Sequence, residues 1–200
     1  MKKELIFLLF SFLFFQLSYA QFTFGVKAGV NLSNVDLPEI NSNNRTGFQV
    51  GVLAEIPFGK RIYFSSEVLY SSQGFKLVEN IQETESPKEL ITELGYLQAP
   101  FILKYRIIEG LNIQAGPQMG LLISAITRGP DSKQDDKYLY SDFDYGMTFG
   151  LGYKFYPSLF VQARYNMGFG TIYEKDKLQK AGRENNARNK VIHFSVGYMF

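Results

Sequence analysis

DFDYGMTFGLGYKF, residues 142–155, alternates without a break. Phe143, Tyr145, Met147, Phe149, Leu151, Tyr153 and Phe155 take the odd positions, and Asp142, Asp144, Gly146, Thr148, Gly150, Gly152 and Lys154 the even ones. Successive side chains of a β-strand point to opposite faces, so this strand has one large apolar face and one small or polar face. A run of about fourteen residues is long for a strand of a soluble protein and sufficient to cross a bilayer at a tilt.

The same pattern recurs on both sides. Residues 22–32 set Phe24, Val26, Ala28 and Val30 against Gly25, Lys27, Gly29 and Asn31, and residues 46–57 set Phe48, Val50 and Val52 against Gly47, Gln49 and Gly51. Further strands are predicted over 62–72, 95–106, 111–124, 159–169 and 191–200, which makes eight. Pro100 in the fourth predicts a bulge or an interrupted ladder, because proline cannot donate to it. Connections after the second, fourth and sixth strands span about three to five residues; the others span about thirteen to twenty and are polar and charged. Short turns at one end and long loops at the other are the layout of an outer-membrane barrel, and an even strand number puts both chain ends on the periplasmic side. In the second long loop, Ser86-Pro87-Lys88-Glu89 fits a capping box that could start a short helix carrying Leu90, Ile91 and Leu94; extended strands or an open loop are the alternatives.

Volume decides which face meets what. An eight-stranded interior is filled by ordinary side chains or holds one small ligand, as in a lipocalin, and cannot take seven large residues from one strand together with their counterparts. The glycine, serine, glutamine and threonine set therefore faces in, and the apolar set forms an outer belt that only lipid tolerates. Aromatic residues fall near the strand ends as two girdles: Phe22, Phe58, Tyr105, Phe155, Tyr156, Tyr198 and Phe200 on the periplasmic side, Tyr70, Phe143, Tyr145 and Phe169 on the other. The expected fold is all-β, an eight-stranded antiparallel up-and-down transmembrane β-barrel. Lys27, Glu55, Glu67, Lys104, Asp144, Lys154, Arg164 and His193 all carry inward parity. Buried charges must pair or meet water, so these eight predict an interior ion-pair and hydrogen-bond network rather than an open pore.

Residues 1–20 begin with Lys2 and Lys3, continue as an apolar run and end Ser18-Tyr19-Ala20, the pattern of a secretory signal peptide cleaved before Gln21, with the barrel domain spanning 21–200. The chain has no Cys, which excludes disulfides, thiolate metal sites, cysteine nucleophiles and a lipoprotein anchor. Lys plus Arg number 21 against 19 Asp plus Glu, and removal of Lys2, Lys3 and Glu4 leaves a net charge of +1. That balance gives no reason to expect nucleic acid as a partner.

Few residues suggest chemistry. His193 and Ser195 lie two apart on one strand face, a spacing that lipid A deacylases use, yet the pair has inward parity, no assignable acidic orienter and unmatched flanks. Glu67 and Arg164 read better as interior ion partners than as an acid and an oxyanion stabiliser. Asp131, Asp135 and Asp136 resemble a calcium loop, but Lys133 stands where a second oxygen ligand should fall. Residues 174–190 read as a solvated charged loop. Gly150 and Gly152 sit in mid-strand with no helix after them, so lumen crowding explains them better than phosphate binding. No catalytic residue, metal site or cofactor is expected.

FGVKAGVNLSN (24–34), EVLYSSQG (67–74), YLQAPFILKY (96–105), GPQMGLLISA (116–125), FDYGMTFGLGYKF (143–155) and ARYNMGFG (163–170) resemble, in order, the strand motifs of the PorT-like outer-membrane β-barrel family. The resemblance implies an outer-membrane barrel with a structural, interaction or protein-secretion-linked role; it carries over no catalytic residue. The closing alternation of Phe194, Val196, Tyr198 and Phe200 is similar to the outer-membrane assembly signal, which implies recognition by the barrel-assembly machinery. The expected partners are outer-membrane lipids, that machinery, and secretion-system or surface proteins, with the barrel a monomer. The competing readings are a lipid-modifying enzyme and a small transport or ligand-binding barrel.

Overall fold

The computed structural model describes residues 22–36, 42–79, 88–129, 132–155, 157–172 and 187–200. The predicted signal segment, residues 1–20, and most of 174–190 lie outside them. Nine strands follow in chain order: β1 (Thr23–Asp36), β2 (Ser42–Phe58), β3 (Ile62–Glu79), β4 (Lys88–Arg106), β5 (Leu111–Arg128), a short β6 (Lys133–Asp135), then a 3-10 turn Lys137–Leu139, β7 (Phe143–Lys154), β8 (Leu159–Gly168) and β9 (Arg188–Met199). Among the described residues, the eight long strands pair antiparallel with their neighbours, and β1 meets β9 from Gly25–Met199 to Asp36–Arg188. The sheet is therefore closed and leaves no long edge to satisfy in hydrocarbon. Among the described residues β6 pairs with the loop-end tip of β5 alone. A circuit through Ala54, Ser66 and Phe101, across β5 at Pro117, and on through Met147, Met167 and Lys190 leaves β1 at Phe24 and returns to it at Asn34. Such an offset means strongly tilted strands.

The faces follow the alternation. On β7, Phe149 is 47% exposed while Thr148 beside it is 1% exposed. Val26, Val30, Val50, Leu97, Leu151, Val161, Phe194 and Val196 join the outer belt. Each such side chain loses about 1.5–3 kcal/mol when left in water, so a barrel wrapped in them is stable only in an apolar solvent. Aromatic pairs mark both rims. Phe22–Phe24, Tyr153–Phe155 and Tyr198–Phe200 ring the short-turn end, and Phe48–Tyr70, Phe143–Tyr145 and Tyr145–Phe169 the long-loop end. Tyr156 lies outside the described residues.

One expectation needs correction, the length of the strands, and two open readings are decided. The strands run further towards the long-loop end than their apolar pattern does, so the first and second long connections shrink to residues 37–41 and 80–87. Beyond the apolar belt nothing demands apolar outward side chains, while the backbone ladder continues to stabilise paired strands. The segment from Lys88 to Leu94 is strand, pairing with Gln73 to Glu79 of β3, so of the readings open there the extended strand is the one that holds; Ser86 and Pro87 lie outside the described residues. Of the two readings for Pro100 the interrupted ladder is the one found, and β4 carries a separate bulge at Gly95/Tyr96 against β5. At Pro100 the β3–β4 ladder passes from Ser66–Phe101 to Leu69–Gln98 without a change of register, an interruption that suits a residue lacking an N–H.

The lumen is layered. At the long-loop end Val35, Phe75, Leu94, Leu122, Ala125, Tyr140, Ile172 and Ala187 form an apolar cluster, each at most 7% exposed. Polar side chains fill the middle, and Leu53, Phe160 and Met199 form a smaller apolar layer near the short turns. Gly110, at φ 82° in the turn 107–110, accepts a hydrogen bond from Lys154 N at 2.9 Å, a conformation for which glycine pays no steric cost.

Candidate functional site: the filled lumen

The centre of the lumen is a carboxylate between two cations. Glu67, on β3, is 1% exposed; Lys27 Nζ of β1 lies 2.6 Å from its Oε2. From across the barrel, Arg164 of β8 donates NH2 to Oε1 at 2.8 Å and NH1 to Oε2 at 2.9 Å. The planar guanidinium thus grips both carboxylate oxygens, the geometry that makes arginine the stronger partner. Its Nε donates to Gln114 Oε1 at 2.7 Å, and Gln114 Nε2 donates to Asn112 Oδ1 at 2.7 Å. Glycines of β7 make the room: a Cβ on Gly150 would sit 2.7 Å from Arg164 Cγ, and one on Gly152 would collide with Gln114 Nε2.

Nearer the loops, His193 has both ring nitrogens occupied. Its Nδ1 is 2.6 Å from Asn31 Oδ1 and its Nε2 is 2.6 Å from Asn166 Nδ2. The Asn31 amide orientation is fixed because Nδ2 donates to Phe48 O at 3.0 Å and Ser72 O at 3.1 Å. The oxygen must then face the ring, so Nδ1 donates and Nε2 accepts. Asn166 Oδ1 in turn accepts from Thr148 Oγ1 at 2.7 Å. Ser195 Oγ accepts from Gln49 Nε2 at 2.7 Å. His193 and Ser195 are each bound to other groups, and no hydrogen bond joins them.

The other sequence-predicted residues fall into separate groups. Glu55 pairs with Lys104 at 2.6 Å, and the Lys104 ammonium lies 5.9 Å from the Phe160 ring centroid. Asp144 accepts from Asn189 Nδ2 at 3.0 Å through Oδ2, while its Oδ1 is buried with no hydrogen-bond partner among the described residues. Lys154 is half-buried at the short-turn mouth, and no ion pair engages it among the described residues. Asp131 lies outside the described residues. Asp135 closes β6, Asp136 precedes the 3-10 turn, and among the described residues no group of three His, Cys, Asp or Glu could hold a metal ion.

Sequence reasoning passed over a second ion cluster. At the long-loop end Glu93 lies 3.2 Å from Arg45 NH2 and 3.3 Å from Arg128 NH2, and Arg45 NH1 donates to Gln73 O at 2.9 Å. All three residues fall just beyond the predicted strand ends. Extending each ladder by four residues would have included them.

The model of a family described as "outer membrane protein beta-barrel domain" matches residues 14–174. No curated protein matches the sequence. Among solved structures the chain is similar to neisserial surface protein A, at 15% identity and a TM-score of 0.59, over 88% of this chain and 97% of that one. It is also similar to Ail, the attachment invasion locus protein of Yersinia pestis, in complex with the heparin analogue sucrose octasulfate, at 14% identity and a TM-score of 0.52 over 90% and 99% of the two chains. A second structure of Ail gives 12% identity and the same TM-score over 89% and 98%. At these identities the likeness is one of fold.

Proposed function

The chain belongs to the outer membrane protein beta-barrel domain family, and from that premise we propose that it acts as a closed barrel with a structural, interaction or protein-secretion-linked role, neither an enzyme nor a conduit. It is an outer-membrane protein whose belt contacts lipid. The observation that carries the proposal is the lumen, blocked by the apolar cluster around Phe75, Leu94 and Tyr140 and cross-braced below it by Arg164–Glu67–Lys27. A barrel filled in this way offers its loop end and its turn end to partners, not its interior to solutes. The PorT-like motifs, from EVLYSSQG at 67–74 to ARYNMGFG at 163–170, favour a secretion-linked partner. The full pairing of β1 with β9 leaves no edge for a second copy, in keeping with a monomer. Short turns facing the periplasm, with both mature termini there, fit the layout of such barrels. Removal of residues 1–20 is part of the same proposal, and the mass of the extracted protein checks it.

The experiment is a deletion strain scored for surface-exported proteins and for lipid A composition. Loss of exported protein with unchanged lipid A supports the secretion-linked role. An altered lipid A profile restored by the parent gene would favour a lipid-modifying enzyme instead.

A further inference from the structure

We propose that the mouth of the barrel at its short-turn end binds a small organic anion, a carboxylate or phosphate monoester with an apolar body, held by Arg106 and Lys154. A cavity of about 360 Å³ opens there, with Phe160, Met199 and Pro157 among its lining residues and Glu55, Lys104, Arg106 and Lys154 around it. That volume is in the range of sites for small ligands, which combine apolar walls with a few placed polar groups.

The charges of this mouth differ from those elsewhere in the lumen. Glu67 has Lys27 and Arg164, Glu93 has Arg45 and Arg128, and at the mouth itself Glu55 is taken by Lys104. Arg106 and Lys154 remain, both half-buried and neither in an ion pair among the described residues. Glu109, on the turn, is exposed and in no ion pair among the described residues, so one carboxylate faces two cations and an excess positive charge stays at the rim. Arg106 is already oriented, its guanidinium stacked 4.7 Å from the Tyr63 ring centroid. Stacking fixes the plane of the fork and leaves its edge for an acceptor, the arrangement suited to carboxylate or phosphate. Lys154 reaches the same cavity from β7, where its neighbour across the ladder is Phe160. An anion between the two cations would therefore rest its apolar part on Phe160 and Met199.

The test uses the full barrel in zwitterionic lipid nanodiscs and titrates phenyl phosphate, benzoate, inorganic phosphate and benzyl alcohol by calorimetry. Saturable binding of phenyl phosphate or benzoate is expected, with benzyl alcohol and inorganic phosphate each weaker; the tighter of the first two identifies the anionic head. Arg106→Gln combined with Lys154→Gln should raise the dissociation constant about tenfold or more, the effect of losing charge-assisted contacts. A second measurement needs no variant: phenyl phosphate should slow acetylation of Lys154 in the parent protein, read by mass spectrometry. No saturable binding, equal affinity for benzyl alcohol, undiminished affinity in a folded double variant, or unprotected Lys154 would each overturn the proposal.

Discussion

Glu67 shows how a single residue organises the lumen. Two cations from different strands converge on one carboxylate that water scarcely reaches, so each charge depends on the others. Removing one partner of a buried pair leaves an uncompensated charge and costs about 3–5 kcal/mol, whereas replacing all partners by apolar residues of similar size is often neutral. Glu67→Gln is therefore expected to lower stability by about that amount, measured by urea unfolding in lipid vesicles. The triple change Lys27→Met, Glu67→Leu, Arg164→Met should lose much less than the sum of the three single changes. Equal urea midpoints for the parent and Glu67→Gln would show that the triad contributes nothing.

A strand adds what a residue cannot, a constraint on every second position. Phe149→Arg places a cation on the lipid face of β7 and should cost about 2–4 kcal/mol near the bilayer midplane, seen as loss of the gel shift between boiled and unboiled samples. Insertion like the parent's would contradict the facing. At the closing strand, Met199 N donates to Ser158 O at 2.9 Å and Phe200 N to Phe24 O at 2.8 Å, so the last residues bind both neighbours of β9. Deleting residues 198–200 should leave export across the inner membrane intact but strand the protein in the periplasm, which fractionation with an internal tag at Ser132 reads. Normal outer-membrane levels of the truncated chain would remove β9 from the closing role.

The same scale explains what the sequence could and could not disclose. Within the belt the requirement for apolar outward residues writes itself into the alternation, so the facing of Lys27, Glu67 and Arg164 could be read directly. Above the belt the requirement lapses. Arg45, Glu93 and Arg128 sit in paired backbone whose side chains follow no apolar rhythm, so strands read from the alternation alone come out shorter than the ladders. The bulge at Gly95/Tyr96 depends on β5 opposite and has no local signal, whereas Pro100, lacking an N–H, signals the ladder interruption by itself. Partners inside the lumen depend on register around the whole barrel: Asn31, Asn166 and His193 are distant in sequence, and no spacing reveals that they form one hydrogen-bonded chain.

The whole molecule keeps three solvents apart: lipid outside, protein within, water only at the ends. Closure by β1–β9, the apolar cluster at the loop end and the layered lumen each follow from residues that must find the correct one of the three. Tyr140, Ile172 and Ala187 complete the loop-end cluster from segments without periodicity, which is why the plug was invisible before the strands were assembled. Methyl groups report this partition with no mutation at all. In a nanodisc, isotope-filtered NOEs should connect Val26, Val50, Leu97, Leu151, Val161 and Val196 to lipid acyl chains, whereas Leu53, Leu69, Leu94, Ile102, Leu122 and Val191 should show contacts to neither lipid nor bulk water. Water contacts throughout the second set would mean an open lumen, and lipid contacts there would mean that the faces are reversed.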